Sequence, residues 1–464
     1  MDSIKKVIII GLDCAEPTLI LDQWRKDLPN IDRLMQGGMY GNLTSSMPPI
    51  TVPAWSCMAS SKDPGTLGIY GFRNRKDHSY DNLGIATSLA VREPRIWDIL
   101  DRVGKQSIIV GVPGTFPIWK PFRGAMITCF LTPGIDSEYT HPPELKKEIA
   151  DLVGEYMVDV RGFRTDNKQW LLDQIYEMTD KRFKVTEHLM KTRPWDLLWM
   201  VEMGTDRIHH GFWQFMDPNH HRYVAGNPME NAIHDYYVHI DKLIGKMLES
   251  VDLETTAVWV VSDHGAKCMV GGVCFNDWLM REGYLTLKEP VTDGPKKFSY
   301  DMVDWSRTKA WGEGGYYARC FINVKGREPQ GIVEQSDYES LRDELISKLE
   351  AMNDHEGQPM GTHVHKPEDI YRKVNRVAPD LVIIFGDLRW RSVGSVGNPD
   401  IYTFDNDTGP DDANHAQEGM YILAHPTLAG RGRMDDATLY DVTPTTLKLL
   451  GQSVPTDMRG KCLV

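Results

Sequence analysis

At 464 residues, 41% hydrophobic and 25% charged, the chain has an ordinary globular composition, long enough for one large domain with an insertion or for two to three domains. Its formal net charge of −13 excludes a general electrostatic grip on polymeric nucleic acid or an anionic membrane, which needs clustered Lys and Arg. A small anionic substrate stays compatible with that charge, because bound dications dominate the field around them.

The chain opens MDSIKKVIIIGLD, where the apolar stretch is too short for a signal-peptide core and is interrupted at Asp13. Short apolar runs bounded by turn residues recur at 7–12, 107–112, 196–201, 257–261, 380–385 and 420–424. They read as strands buried on both faces. Helical patterns fall between them, at 92–103, 168–191, 229–250 and 338–352. The alternation predicts an α/β fold with a central, mostly parallel sheet flanked by helices. Two regions interrupt it: 113–195, which begins Pro- and Gly-rich (VPGTFPIWKPFRG), and 267–380, which contains KAWGEGGYYARC. Either suits a cap over a site, and the second is the stronger candidate because it lies between His264 and His415. The expected division is a catalytic core of 1–266 and 381–464 with an inserted cap of 267–380.

No window approaches the roughly 20 apolar residues of a membrane helix. The seven Cys are scattered, odd in number and without a CxxC pair, which favours reduced thiols and a cytoplasmic location.

Four segments place metal-ligand residues after an apolar run: Asp13 in VIIIGLD, Asp206 and His210 in TDRIHHG, Asp263 and His264 in VVSDHG, and His415 in ANHAQEG. Each has a plainer reading. Asp13 alone is as readily a turn or helix-capping residue. Asp206 and His210, four apart on one helical face, are alone more often a surface hydrogen bond. Their co-occurrence at strand ends favours a joint site, since ligands of open α/β sheets bind beyond the carboxyl ends of the strands. Three Asp and three His can furnish two metal sites, with zinc first and manganese or iron as alternatives. Thr51, in PPITVPAWS, supplies a hydroxyl that a dication would activate, and two metals about 3.5–4 Å apart can hold both the attacking and the leaving oxygen of a displacement.

With PPITVPAWS and the downstream TLGIYGF, the pair in TDRIHHG, and SDHG, the chain resembles the type I phosphodiesterase/nucleotide pyrophosphatase branch of the alkaline phosphatase superfamily. The resemblance runs from GLDCAEP to DVTPTTLKLLG and implies an alkaline-phosphatase-like layered fold. It implies one metal held by Asp206, His210 and His415, and another by Asp13, Asp263, His264 and Thr51. It also implies hydrolysis of a small organophosphate through a covalent phospho-Thr51. The alternatives are a phosphomonoesterase, a phosphonate hydrolase or a phosphomutase-type transferase of the same superfamily. An Asn that helps bind a phosphoryl oxygen in many family members is replaced by Phe72, and Ala54 also departs from the pattern, which leaves nucleotide specificity open. Arg73, Asn74 or Arg75 would replace the missing contact, or are solvated loop residues.

His209 reads as a surface or supporting residue. The group His234, Asp235, His239 and Asp241 reads as a solvated helix face, and His363 with His365 lacks a third ligand. Trp311, Tyr316 and Tyr317 either line a pocket or pack the cap. Cys57 reads as a buried thiol. The partner expected is a small phosphoester, with neither polymeric nucleic acid nor membrane.

Overall fold

The computed structural model describes residues 4–464. Its central layer is a ten-stranded sheet whose main strands are β1 (Lys6–Leu12), β2 (Gly38–Thr44), β3 (Ser107–Val110), β4 (Gly124–Ile127), β5 (Leu197–Glu202), β6 (Thr256–Val261) and β7 (Glu418–Ala424). They lie in the order β2-β7-β6-β1-β5-β3-β4. From β6 to β4 every neighbouring pair is parallel, whereas β7 runs antiparallel to both β6 and β2. The Val- and Ile-rich runs of β1, β3, β5 and β6 are buried on both faces, as helices on both sides of a parallel sheet require.

The flanking helices include α1 (Thr51–Ser60), α2 (Ile96–Arg102), α3 (Lys168–Thr192), α4 (Gly204–Met216) and α5 (Ala232–Leu248). The 113–195 region joins this layer. It contributes β4, which the sequence pattern did not signal because the four-residue run GAMI acquires its strand character by pairing with β3. It also contributes α3, whose buried Arg182 donates to the Val201 carbonyl of β5 at 2.8 Å.

A second layer forms around its own apolar core of Phe275, Trp311, Phe321, Leu345 and Phe385. Its four-stranded antiparallel sheet joins Ala310–Glu313, Ala318–Ile322, Leu381–Ile384 and His363–His365, beside α6 (Tyr338–Glu350). The strand expected at 380–385 therefore exists, but in this smaller sheet. The boundary expected at 380/381 does not coincide with a change of sheet, since Trp390–Ser392 and Tyr402–Thr403 also pair with Gly271–Val273. Among the described residues, no helix is long and apolar enough to cross a membrane.

The adjacency of β5, β1 and β6 positions the site. Their carboxyl ends are in register, Leu12 opposite Glu202 and Gly11 opposite Val261, so residues following these strands emerge side by side. Gly11 is needed here for space: a Cβ would lie 2.5 Å from the Trp55 ring and 2.8 Å from Val201. Gly11→Ala is expected to cost about 1–3 kcal/mol of stability through overpacking, read as a shift in the urea midpoint; an unchanged midpoint would contradict the contact.

Candidate active site

Each ligand candidate reaches one edge of the sheet by a different route. Asp13 follows β1, Asp206 and His210 stand one turn apart in α4 just beyond β5, and Asp263–His264 follow β6. Because β7 runs antiparallel, its beginning lies at the end of β6. The short strand Ala413–Ala416 ahead of it pairs with Gly265–Cys268 and sets His415 opposite Ala266. Thr51 opens α1, following β2. Its Oγ1 lies 3.4 Å from His264 Nε2, and the positive end of the helix favours an anionic oxygen there.

The ligand atoms fall into two clusters, in each of which they lie within 4.8 Å of one another. One comprises Asp206, His210 and His415, joined by Cys14, and the other Asp13, Asp263 and His264. All seven side chains are buried. Each carboxylate has one oxygen tied down. Trp55 Nε1 donates to Asp13 Oδ2 at 2.6 Å, the Cys14 amide donates to Asp263 Oδ1 at 3.2 Å, and Arg207 pairs with Asp206 Oδ2. The other oxygens, Asp13 Oδ1, Asp206 Oδ1 and Asp263 Oδ2, are buried without a hydrogen-bond partner, as is His415 Nε2. Four orphaned buried acceptor atoms at one place are expensive in any protein. The three histidines are oriented through Nδ1: His210 by Asp411 at 2.6 Å, His264 by the Gly265 carbonyl at 3.1 Å and His415 by the Pro49 carbonyl at 2.9 Å. Each Nε2 is left to face the cluster, the arrangement of metal-binding imidazoles. The donor set thus fits two divalent cations.

Electrostatics agree with that fit. Burial, followed by the negative charge of Asp206, pushes Asp13 well above the usual carboxylate range; burial and then Asp13 do the same to Asp263. For Asp206 burial acts upward too, but His210 and Arg207 outweigh it and hold the carboxyl well below that range. Burial lowers His264 to about 4 and, reinforced by His264 and His210, drives His415 well down, so both rings are neutral and able to ligate. His210 is desolvated as well, yet Asp411 and Asp206 raise it to about 10. His210, held protonated, joins Arg207 in placing positive charge beside Asp206.

A cleft of about 950 Å³ opens over Thr51, Asp206, His210 and His415. The apolar side chains Phe72, Phe130 and Phe163 and the cap residues Tyr316 and Tyr317 line it. Phe72 meets Phe130 edge to face at 6.0 Å, so the substitution that removes an amide from this turn supplies an aromatic wall. Arg73 also lines the cleft, but Asn74 does not. The Asn74 amide is consumed inside the turn, accepting from the Tyr70 amide at 2.7 Å and donating to the Gly71 carbonyl at 2.9 Å. Arg75 is likewise committed elsewhere, to Glu328 and the His78 carbonyl.

The chain matches the model of the type I phosphodiesterase / nucleotide pyrophosphatase family over residues 7–411. It belongs to that family. The match contains Thr51 and every ligand candidate except His415. Family membership makes the protein a hydrolase acting on phosphoester bonds. Among solved structures, human ectonucleotide pyrophosphatase/phosphodiesterase 5 is similar at a TM-score of 0.57 and 16% identity, over 98% of this chain and 97% of that one. The murine protein of the same name gives 0.57 and 13% over the same shares. An inactive variant of the murine protein in complex with AMP gives 0.57 and 14%, again over 98% and 97%. These likenesses establish the alkaline-phosphatase-like layered fold. Compared with curated protein sequences, the chain has no significant match.

The other sequence candidates lie outside the site. His209 is buried rather than exposed, beside Tyr237 at 3.2 Å. The four residues at 234–241 form no common cluster: His234 meets Asp235 and Asp27, His239 meets Asp180, and Asp241 accepts the Asn30 and Ile31 amides. His363 and His365 join no ligand cluster among the described residues. Trp311 packs the cap core, and Cys57 is a buried thiol. Sequence reasoning missed Arg207, one residue along α4 from Asp206, and Asp159, Arg164 and Asp411, which support the ligand candidates from loops without periodic signal. Arg207, adjacent to Asp206, forks onto Asp159 with two bonds of 2.8 Å. Arg207→Met strands two carboxylates; measured by urea denaturation in chelator, the expected cost is about 3–5 kcal/mol, and a loss below about 1 kcal/mol would show the fork to be dispensable.

Proposed function

We propose that the protein is a two-metal phosphodiesterase that acts on a small soluble organophosphate through a covalent phospho-Thr51. The observation that carries this reading is the set of three orphaned buried carboxylate oxygens and the orphaned His415 ring nitrogen converging near the Thr51 hydroxyl. Asp206, His210 and His415 would hold one cation, and Asp13, Asp263, His264 and Thr51 the other, with zinc ahead of manganese or iron for a mixed His/Asp set. Bound there, the cations supply the positive charge that ionises a threonine hydroxyl and stabilises developing anionic oxygens.

The chain's own residues do the rest. Thr51 Oγ1 attacks phosphorus from the start of α1 as the bond to the leaving oxygen breaks; the leaving group departs with its electron pair and takes a proton from solvent. Water then cleaves the phosphothreonine, and Thr51 regains its proton. Phe72, Phe130 and Phe163 offer an apolar wall to the organic part of the substrate, and the cleft's volume suits a ligand of drug or nucleotide size. That a murine relative has been seen with AMP supports a nucleoside monophosphoryl group as one occupant. The acidic chain argues against polymeric nucleic acid and membrane as partners, and seven unpaired thiols support a cytoplasmic setting.

The test is a panel of p-nitrophenyl phosphate, bis-p-nitrophenyl phosphate, a phenylphosphonate monoester and p-nitrophenyl sulfate, with added zinc or manganese. The diester is expected to turn over fastest, with Thr51→Ala losing about 10³-fold or more in kcat. Preference for the monoester would replace the reading with a phosphatase or mutase, and wild-type turnover by Thr51→Ala would remove the nucleophile. Asp263→Asn is expected to lower metal retention and activity together, by elemental analysis and assay; full metal content with full activity would contradict its role as a ligand. Chelation should lower the melting temperature and zinc restore it, with free metal at a hundred times Kd adding about 2.7 kcal/mol. Identical melting with and without metal would count against a metal centre.

A further inference from the structure

The three candidate ligand histidines are not oriented alike. His264 and His415 have their Nδ1 against backbone carbonyls, Gly265 and Pro49. His210 alone has its Nδ1 against a carboxylate, Asp411 Oδ1, at 2.6 Å. The Asp411 side chain is fully buried and is itself held from two other parts of the chain. Arg164 Nε donates to Asp411 Oδ2 at 3.0 Å, and the cap residue Tyr316 donates its hydroxyl to the same oxygen at 3.0 Å. Arg164 Nη2 in turn donates to the Tyr316 hydroxyl at 2.7 Å. The Tyr316 ring stacks on His210, centroids 5.0 Å apart, and lies 4.3 Å from that of His415. A carboxylate behind an imidazole fixes the ring's tautomer and rotation and makes its other nitrogen a stronger donor, and loss of such a partner weakens metal binding by about 10–100-fold. A carbonyl orients a ring without adding negative charge.

We infer that Asp411 is a positioning residue that makes the Asp206, His210 and His415 site the tighter of the two, and that Tyr316 and Arg164 lock it in place. The inference rests on the two-metal reading above and adds an asymmetry between the sites. It also gives the cap a task at the metal centre: Tyr316 ties the second layer to the orientation of a ligand in the first. Its neighbour Asp412 provides an internal contrast, because Asp412 meets His210 through its backbone amide, at the carbonyl oxygen, and not at the imidazole.

The experiment is stepwise removal of zinc from the loaded full-length protein by graded chelator, followed by elemental analysis, with cobalt absorption spectra in parallel. Wild type, Asp411→Asn, Tyr316→Phe and Asp412→Asn are compared. The expected result is two equivalents in the wild type and, in Asp411→Asn, one equivalent released 10–100-fold more readily with an altered cobalt spectrum while the other is unchanged. Tyr316→Phe, which keeps the ring, should show a smaller shift of the same equivalent, and Asp412→Asn none; Tyr316→Phe carries the test if Asp411→Asn fails to fold. Two equivalents released identically from all four proteins would overturn the inference and leave the two-metal reading standing. Equal weakening of both equivalents, shared by Asp412→Asn, would mean general loosening and would also overturn it. A wild type that retains no metal would remove the two-metal reading and this inference with it.

Discussion

Three buried carboxylates at the ends of three adjacent parallel strands are the constraint around which the rest of the molecule is arranged. Parallel neighbours place whatever follows them side by side, so Asp13, Asp206 and Asp263 meet in the buried interior. Two unit charges about 4 Å apart repel by about 4 kcal/mol at an effective dielectric of 20, and desolvation adds to that cost. The surroundings relieve only part of it. Trp55, the Cys14 amide and Arg207 each neutralise one oxygen, leaving one oxygen of every carboxylate pointed at the same small region. Such an arrangement is costly as pure structure and economical as a seat for cations.

The same constraint explains the placement of the histidines and of Thr51. Neutral imidazoles add donors without adding negative charge, and burial keeps His264 and His415 neutral. The reversal of β7 brings His415 to this edge, which a wholly parallel sheet would have sent to the opposite end. Thr51 at the start of a buried helix adds the partial positive charge of its free amides to the field that an alkoxide requires.

Much of this was legible in the chain because strands buried on both faces write themselves as unbroken apolar runs, and the residue after each run is then at a known edge. Asp13, Asp206 and Asp263 could be read that way. His415 and Thr51 were harder to place, since neither directly follows a core strand; they were read from their segments ANHAQEG and PPITVPAWS and from co-occurrence with the others. The run at 380–385 shows the limit of the signal: an apolar segment buried in a four-stranded antiparallel sheet looks the same as one in the central sheet, so the run alone does not say which layer it joins. Asn74 shows another limit. A polar side chain in a turn is as well suited to holding the turn as to holding a ligand, and only its two local hydrogen bonds distinguish the uses. Asp159, Arg164 and Asp411 lie in loops, where no periodicity marks a side chain that reaches a distant partner.

The contacts that the second layer makes with the first limit how freely either can change. Tyr317 donates to the Tyr70 carbonyl and Arg319 to the Arg73 carbonyl, holding the turn that carries Phe72. Tyr316, beside them on the same stretch, reaches Asp411 and stacks on His210. One short segment of the second layer therefore shapes the aromatic wall and contacts both His210 and its partner Asp411. The aromatic wall of the cleft and the side chains around His210 are mechanically joined through it. A change in the second layer that reshaped the cleft would also move Tyr316 against His210, and Phe163, which lies beside His210 and under the Arg207 guanidinium, extends the same coupling to the aromatic wall.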